Sequence, residues 1–286
     1  MPAVEAFRYP GSRTQIKGRP PVVGSLTDST ADGGEKGARA HELWDENRYG
    51  GFVCAGGILM LVAGVTGIVL SWLSSIIYAS GQPTDAAGYL QLFSQHRFLA
   101  FTEWTVWIIG DLWLVPGSIA VYLALKRSNK GVAAAGTILS LVHTFYDVNF
   151  TKLNSLNLVR LSRGYAGAVA DATRAAYIAS AAPSVSVLPV QTFFSFAIGA
   201  LGWLLWSLIM AKSFFGKWSA VFGVIANVMG ILGGAGALVQ GTSFAPLGFF
   251  ITLGGLATAL WFILIGVELF RHGNNIRRGV ASPIQR

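Results

Sequence analysis

Between Arg48 and Asp85, and again between Lys217 and Glu268, the chain carries no charged residue. Nothing else in the sequence constrains the fold as strongly. In hydrocarbon every backbone N–H and C=O must be satisfied inside the crossing segment, so an apolar run of about 20 residues reads as a membrane helix. The first stretch contains GFVCAGGILMLVAGVTGIVLSWLSSIIY, which predicts a span over about 51–78. The second is too long for one crossing and is divided at QGTSFAP, where Gly241 and Pro246 punctuate the chain. This predicts spans over 219–240 and 247–270. Three further apolar runs predict spans over 98–125, 132–150 and 190–211. Charged residues make up 12% of the chain, about half the share in a soluble domain. The expected fold class is therefore all-α: a polytopic membrane protein with a six-transmembrane-helix bundle over 51–270.

Lysine and arginine placement sets the expected orientation. With six spans, both termini share a side. That side holds sixteen basic residues: seven in 1–50, three in 126–130, Lys212, Lys217 and four from Arg271 on. The other side holds Arg97, Lys152, Arg160, Arg163 and Arg174. Both termini are expected in the cytoplasm and the bundle in the plasma (inner) membrane, with the lipid bilayer as its first partner. Residues 1–50 combine four prolines, seven glycines and fourteen charges with few large apolar groups, which predicts a disordered cytoplasmic tail. HELWDENRYGGF, leading into the first span, reads as an interfacial turn with Trp44 and Tyr49 near the headgroups. Residues 271–286 form a basic cytoplasmic tail. Residues 151–189 form the external segment: KLNSLNLVRLSRG is placed to extend the third span, and GAVADATRAAYIASAA reads as a short amphipathic helix ended by Pro183 and Pro189.

The order of these features resembles the bacterial six-span membrane proteins grouped as domain-of-unknown-function family 4386. The residues that carry the resemblance are VYLALKRSNKGVAAAGTIL, a short external ATRAAY-type helix, SLIMAKSFFGKWSAVFGVIANVMGILG, and Asp111 in mid-span. It covers about residues 52–270 and implies the six-span topology. It implies no activity, because the family is uncharacterised.

Carboxylates at membrane depth cost several kcal/mol unless paired, so each is a functional candidate. Glu103 and Asp111 lie in the second span; His143 and Asp147, four apart and on one helical face, lie in the third, followed by Asn149 and Lys152. The two spans form an antiparallel hairpin about Ser128–Asn129, so residues whose numbers sum to near 256 share a depth. This rule pairs Asp111 with His143, Glu103 with Lys152, and Trp107 with Asn149. One reading is that these pairs neutralise one another and staple two helices. Another is an outward-facing polar pocket formed by Asp111, His143, Asp147, Glu103, Asn149, Lys152 and Trp107. It would take a small polar ligand or a cation, or relay protons. A third is intramembrane catalysis by the Asp/His cluster.

The tryptophans around these carboxylates, Trp104, Trp107 and Trp113, read as interfacial packing before a cage for an organic cation, and Pro116 as a kink below Asp111. His41 and His272 are placed in the cytoplasm and His96 far above His143, so no three histidines cluster. Neither a metal nor a cofactor is expected, although an Asp–His–Asp–Glu set stays open to a hard or borderline ion. Single Cys54 excludes an internal disulfide and a cysteine-based zinc site and reads as a small buried hydrophobe. The formal charge of +8 is spread between the spans and does not form a nucleic-acid surface.

Small residues at four-residue spacing predict close helix packing: Ala226, Gly230 and Gly234; Gly136, Ser140 and Thr144; Ser195 and Gly199. Packing within one chain is the first use of these rows, and a homo-oligomer or a larger membrane complex the second. Asn227 and Gln240 are expected to donate hydrogen bonds between helices, and Glu268 with Arg271 to form an interfacial pair. No phosphate loop, HExxH, GxSxG or CxxC is present, so an enzyme is the less favoured class. The favoured one is small-ligand or ion binding and transport, and its rival a structural or accessory subunit of a membrane complex.

Overall fold

The computed structural model describes residues 29–239 and 249–279, with side chains from Tyr49 on. By contacts the chain divides into residues 1–43 and a unit of residues 44–286. Helix α1 (Ser29–Ile77) is followed by α2 (Ala86–Gln95), α3 (Arg97–Leu125), α4 (Lys130–Tyr146), a π-helical turn (Asp147–Lys152), α5 (Leu153–Gly167), α6 (Asp171–Met210), α7 (Gly216–Leu238) and α8 (Phe249–Arg277). Six stretches are long and apolar enough to cross a membrane: Tyr49–Ile77, Arg97–Leu125, Lys130–Gly167, Asp171–Met210, Gly216–Leu238 and Phe250–Arg277. Among the described residues there is no strand. Residues 1–28 of the expected 1–50 tail, the segment holding Gln240, Gly241 and Pro246, and residues 280–286 lie outside the described residues.

The bundle is built for a solvent of lipid. Its outer surface carries large apolar side chains, among them Ile58, Val69, Trp72, Leu112, Phe145, Leu208 and Ile225, while small residues such as Ala120, Ala133, Ala200, Ala226 and Ala259 are buried. Lipid tails are as apolar as leucine, so helices associate through close backbone approach instead of apolar burial. Neighbours in sequence are neighbours in space: α3 packs on α4, α4 on α6, α6 on α7 and α7 on α8. Packing of α1 against both α3 and α8 closes the ring. Gly56 of α1 meets Ala120 of α3.

The α1–α8 contact brings backbone against backbone along its length. Gly50, Gly57 and Gly64 lie seven apart on one helix, opposite Gly273, Gly266 and Ala259, seven apart on the other. A Cβ built on Gly57 would fall 2.5 Å from the Phe270 nitrogen, and one on Gly266 would fall 2.5 Å from the Leu61 nitrogen. One on Gly64 would meet the Ala259 carbonyl oxygen at 2.5 Å. A side chain at any of these positions forces the two backbones apart. The rows of small residues in the third to fifth spans work in the same way within the chain: a Cβ on Gly136 would meet the Gly202 oxygen at 2.8 Å, and one on Gly234 the Phe196 Cβ at 3.0 Å.

Two expectations change. Pro183 and Pro189 do not end a helix: α6 runs unbroken from Asp171 to Met210 with both inside it. Ile178, Ala181, Val185 and Leu188 of α6 join a second apolar core with Tyr89, Leu90 and Phe93 of α2 and Leu158 and Val159 of α5. That packing outweighs the propensity of two prolines. Helix α2, which the span pattern does not reveal, is capped by Asp85, whose carboxylate accepts the Gly88 N–H at 2.7 Å. It lies with α5 over one end of the bundle, here called the capped end. Asn227 does not bridge helices, since its amide donates to Gly223 O of its own helix at 2.7 Å. Glu268 accepts a hydrogen bond from Ser219 Oγ of α7 at 2.8 Å.

Candidate functional site

Asp111, His143 and Asp147 converge. One ligand atom from each lies within 4.8 Å of the others, and all three side chains are buried. Asp111 sits on the α3 face that also bears Glu103 and Trp107 at four-residue steps. His143 stands on α4, one turn before the π segment that begins with Asp147. Its ring has room because Gly199 of α6 has no side chain: a Cβ there would fall 2.9 Å from the imidazole. One turn earlier on α6, the Ser195 carbonyl oxygen is 2.9 Å from His143 Nδ1. A backbone carbonyl can only accept, so Nδ1 carries a proton, and in the neutral ring Nε2 is the nitrogen that keeps its lone pair. The Trp203 ring closes the other side edge-on, 4.9 Å from the imidazole, and its Nε1 donates to Ser140 Oγ at 3.0 Å. Ser140 in turn is 2.8 Å from Ser118 Oγ of α3.

The π turn sets the charge pattern. In an α-helix, residues five apart point about 140° away from each other. Here the Leu153 N–H reaches back five residues to Val148 O, and the wider turn swings Lys152 onto Asp147. Lys152 Nζ lies 2.9 Å from Asp147 Oδ2. The ammonium also faces the Trp107 and Trp104 rings at 4.7 and 5.6 Å. None of Glu103, Asp111, His143, Asp147 and Lys152 is more than 9% exposed.

The depth rule is therefore half right. It brings Asp111 to His143, but the salt bridge of Lys152 is with Asp147, and Glu103 accepts from Ser74 Oγ of α1. The rule assumes an unbroken α-helix, and the π turn shifts the register beyond Asp147. Asn149 is not brought to the site, since its side chain is exposed and its amide donates to Phe145 O at 2.8 Å. Trp107 faces Lys152 instead. Sequence reasoning missed Ser74, Ser118 and Trp203; the role of the last has no local signal, because it depends on how α6 meets α4.

Five oxygens of α3, α4 and the π turn are buried without a hydrogen-bond partner: Glu103 Oε2, Asp111 Oδ2, Thr144 Oγ1, Asp147 Oδ1 and Thr151 Oγ1. Lys152 takes Asp147 Oδ2 and leaves Asp147 Oδ1 unsatisfied, and Asp111 Oδ2 is unsatisfied as well. A groove of about 280 Å³ at the capped end is lined by Ser80, Gln82, Pro83, Gln91 and Gln95 among others, and none of the site residues lines it.

A ring of six apolar helices around a buried ionic centre defines an integral, multi-pass membrane protein. The chain belongs to the family described as Domain of unknown function (DUF4386), whose model matches residues 55–266. That interval contains every residue of the centre. No curated protein and no solved structure matches the chain.

Proposed function

We propose that this is a membrane protein of the binding or transport class that takes up a small cation at the centre formed by Asp111, His143 and Asp147. The observation that carries the reading is the charge balance. Three buried carboxylates, Glu103, Asp111 and Asp147, share one ammonium, Lys152, and a histidine, His143, that donates through Nδ1. With its acids ionised and the imidazole neutral, the centre lacks two positive charges. Uncompensated charge of that size is not tolerated at membrane depth. Unpartnered oxygens on both aspartates support the same reading.

The test is the thermal midpoint of the purified protein against protons, Na⁺, K⁺, NH₄⁺ and divalent ions. A cation at about 100 times its dissociation constant stabilises by about 2.7 kcal/mol. At least one is expected to raise the midpoint of the wild type by several degrees and to leave Asp111→Asn unmoved. A wild type indifferent to every cation and to pH overturns the reading. It would leave the second one, a structural or accessory subunit whose ionic centre staples α3, α4 and α6. The burial of the whole centre favours that alternative.

The proposed orientation puts both termini in the cytoplasm of a plasma (inner) membrane and the capped end outside, on the sixteen-to-five distribution of basic residues. Reporter fusions at Lys130 and Lys217 are expected to read cytoplasmic and one at Ala176 external. A cytoplasmic signal at Ala176 reverses the assignment.

A further inference from the structure

We infer that the cation is a divalent first-row transition ion, held by Asp111, His143 and Asp147, with Lys152 as its built-in charge partner. The inference rests on the cation-binding reading above and makes it specific. Three features point to a metal. The first is the donor set. Two carboxylates and an imidazole suit Mn²⁺, Fe²⁺, Co²⁺ or Zn²⁺ better than Na⁺ or K⁺, which take oxygen ligands alone. Ligand atoms mutually within 4.8 Å need only small side-chain rotations to surround an ion about 2.0–2.2 Å from each.

The second is that each residue is already oriented by a neighbour and keeps a free lone pair. Ser195 O holds His143 Nδ1 at 2.9 Å, so Nε2 is the ring nitrogen left to face an ion. Lys152 holds Asp147 Oδ2 at 2.9 Å and leaves Oδ1 without a partner. Asp111 Oδ2 is likewise unpartnered. A hydrogen bond from one ring nitrogen to a carbonyl, with the other nitrogen on the ion, is the usual outer-shell arrangement of metal-bound histidine. The third is charge. The ion supplies the two positive charges that three carboxylates and one ammonium lack. Lys152 bonds the side of Asp147 away from the unpartnered oxygen, so an ion can enter without breaking the salt bridge.

The experiment titrates the purified full-length protein with Mn²⁺, followed by the loss of its free-ion electron paramagnetic resonance signal, and with Co²⁺, followed by ligand-field absorption. One ion per chain is expected, with a nitrogen coupling in the Mn²⁺ spectrum that His143→Gln removes. Asp111→Asn and His143→Gln are each expected to weaken binding at least tenfold. Lys152→Met, which deletes the competing positive charge, is expected to tighten it at least tenfold, and added Mn²⁺ to restore its thermal midpoint. Absence of divalent binding with retained stabilisation by protons or a monovalent ion overturns the metal and leaves the cation reading standing. Indifference to all of them removes both. Binding unaffected by Asp111→Asn and His143→Gln places the ion elsewhere and also overturns the inference.

Discussion

Replacing Gly266 with valine is expected to destabilise the bundle by on the order of 3 kcal/mol and to cut the yield of folded protein sharply. The substitution drives side-chain atoms into the backbone of α1, where even a Cβ falls 2.5 Å from the Leu61 nitrogen and 2.7 Å from the Gly57 oxygen. Overpacking in a tight core costs about 1–3 kcal/mol and sometimes more, and here the obstacle is main chain, which cannot rotate away. Gly255 lies on the same helix and has nothing within 4 Å of its built Cβ. Gly255→Ala is therefore expected to be neutral, or stabilising by up to about 1 kcal/mol through helix propensity. The readout is the thermal midpoint of detergent-solubilised protein by fluorescence size-exclusion chromatography. A Gly266→Val midpoint equal to that of the wild type means that α1 and α8 do not meet as described.

The second large effect is expected at Lys152. Lys152→Met removes the only ammonium from a centre with three carboxylates and leaves Asp147 buried and unpaired. Removing one member of a buried pair typically costs about 3–5 kcal/mol, whereas removing both can be nearly neutral. The double change Asp147→Asn with Lys152→Met is therefore expected to recover most of the loss, and Glu103→Gln with Lys152→Met less, because Glu103 has its own partner in Ser74. Ordinary interhelical hydrogen bonds in membranes average only about 0.6 kcal/mol, so the stranded charge dominates. Additive single effects in the Asp147–Lys152 cycle would mean that the 2.9 Å contact is not energetically coupled.

The spans are legible in the sequence because hydrophobic runs and basic turns are local properties. Each expected span coincides with a long apolar helix, even where the ends differ. Gly241 and Pro246, which divide the last charge-free stretch, fall outside the described residues. What stays hidden depends on contacts between elements. Helix α2 is too short to register as a span and is held by the apolar core it shares with α5 and α6. The two prolines of α6 look like stops until the packing around them is known. At the site, Asp111 and His143 come together as their depths suggest. The Asp147–Lys152 pair depends on a π turn, for which DVNFTK carries no marker. The small-residue rows of the third to fifth spans stand out at four-residue spacing, whereas the α1–α8 glycines repeat every seven residues and make sense only when the two helices are laid side by side.

That last contact gives the protein an order of assembly. Helices α3, α4 and α6, which hold the ionic centre, are synthesised before α8 exists, yet the ring they belong to has a gap where α8 will stand. Until α8 enters the bilayer, α1 presents a strip without side chains at Gly50, Gly57 and Gly64. Of the six spans described, α8 is made last, and it is the one that closes the ring on α1. A chain that stops short of it leaves the glycine strip of α1 without the helix it is shaped to meet.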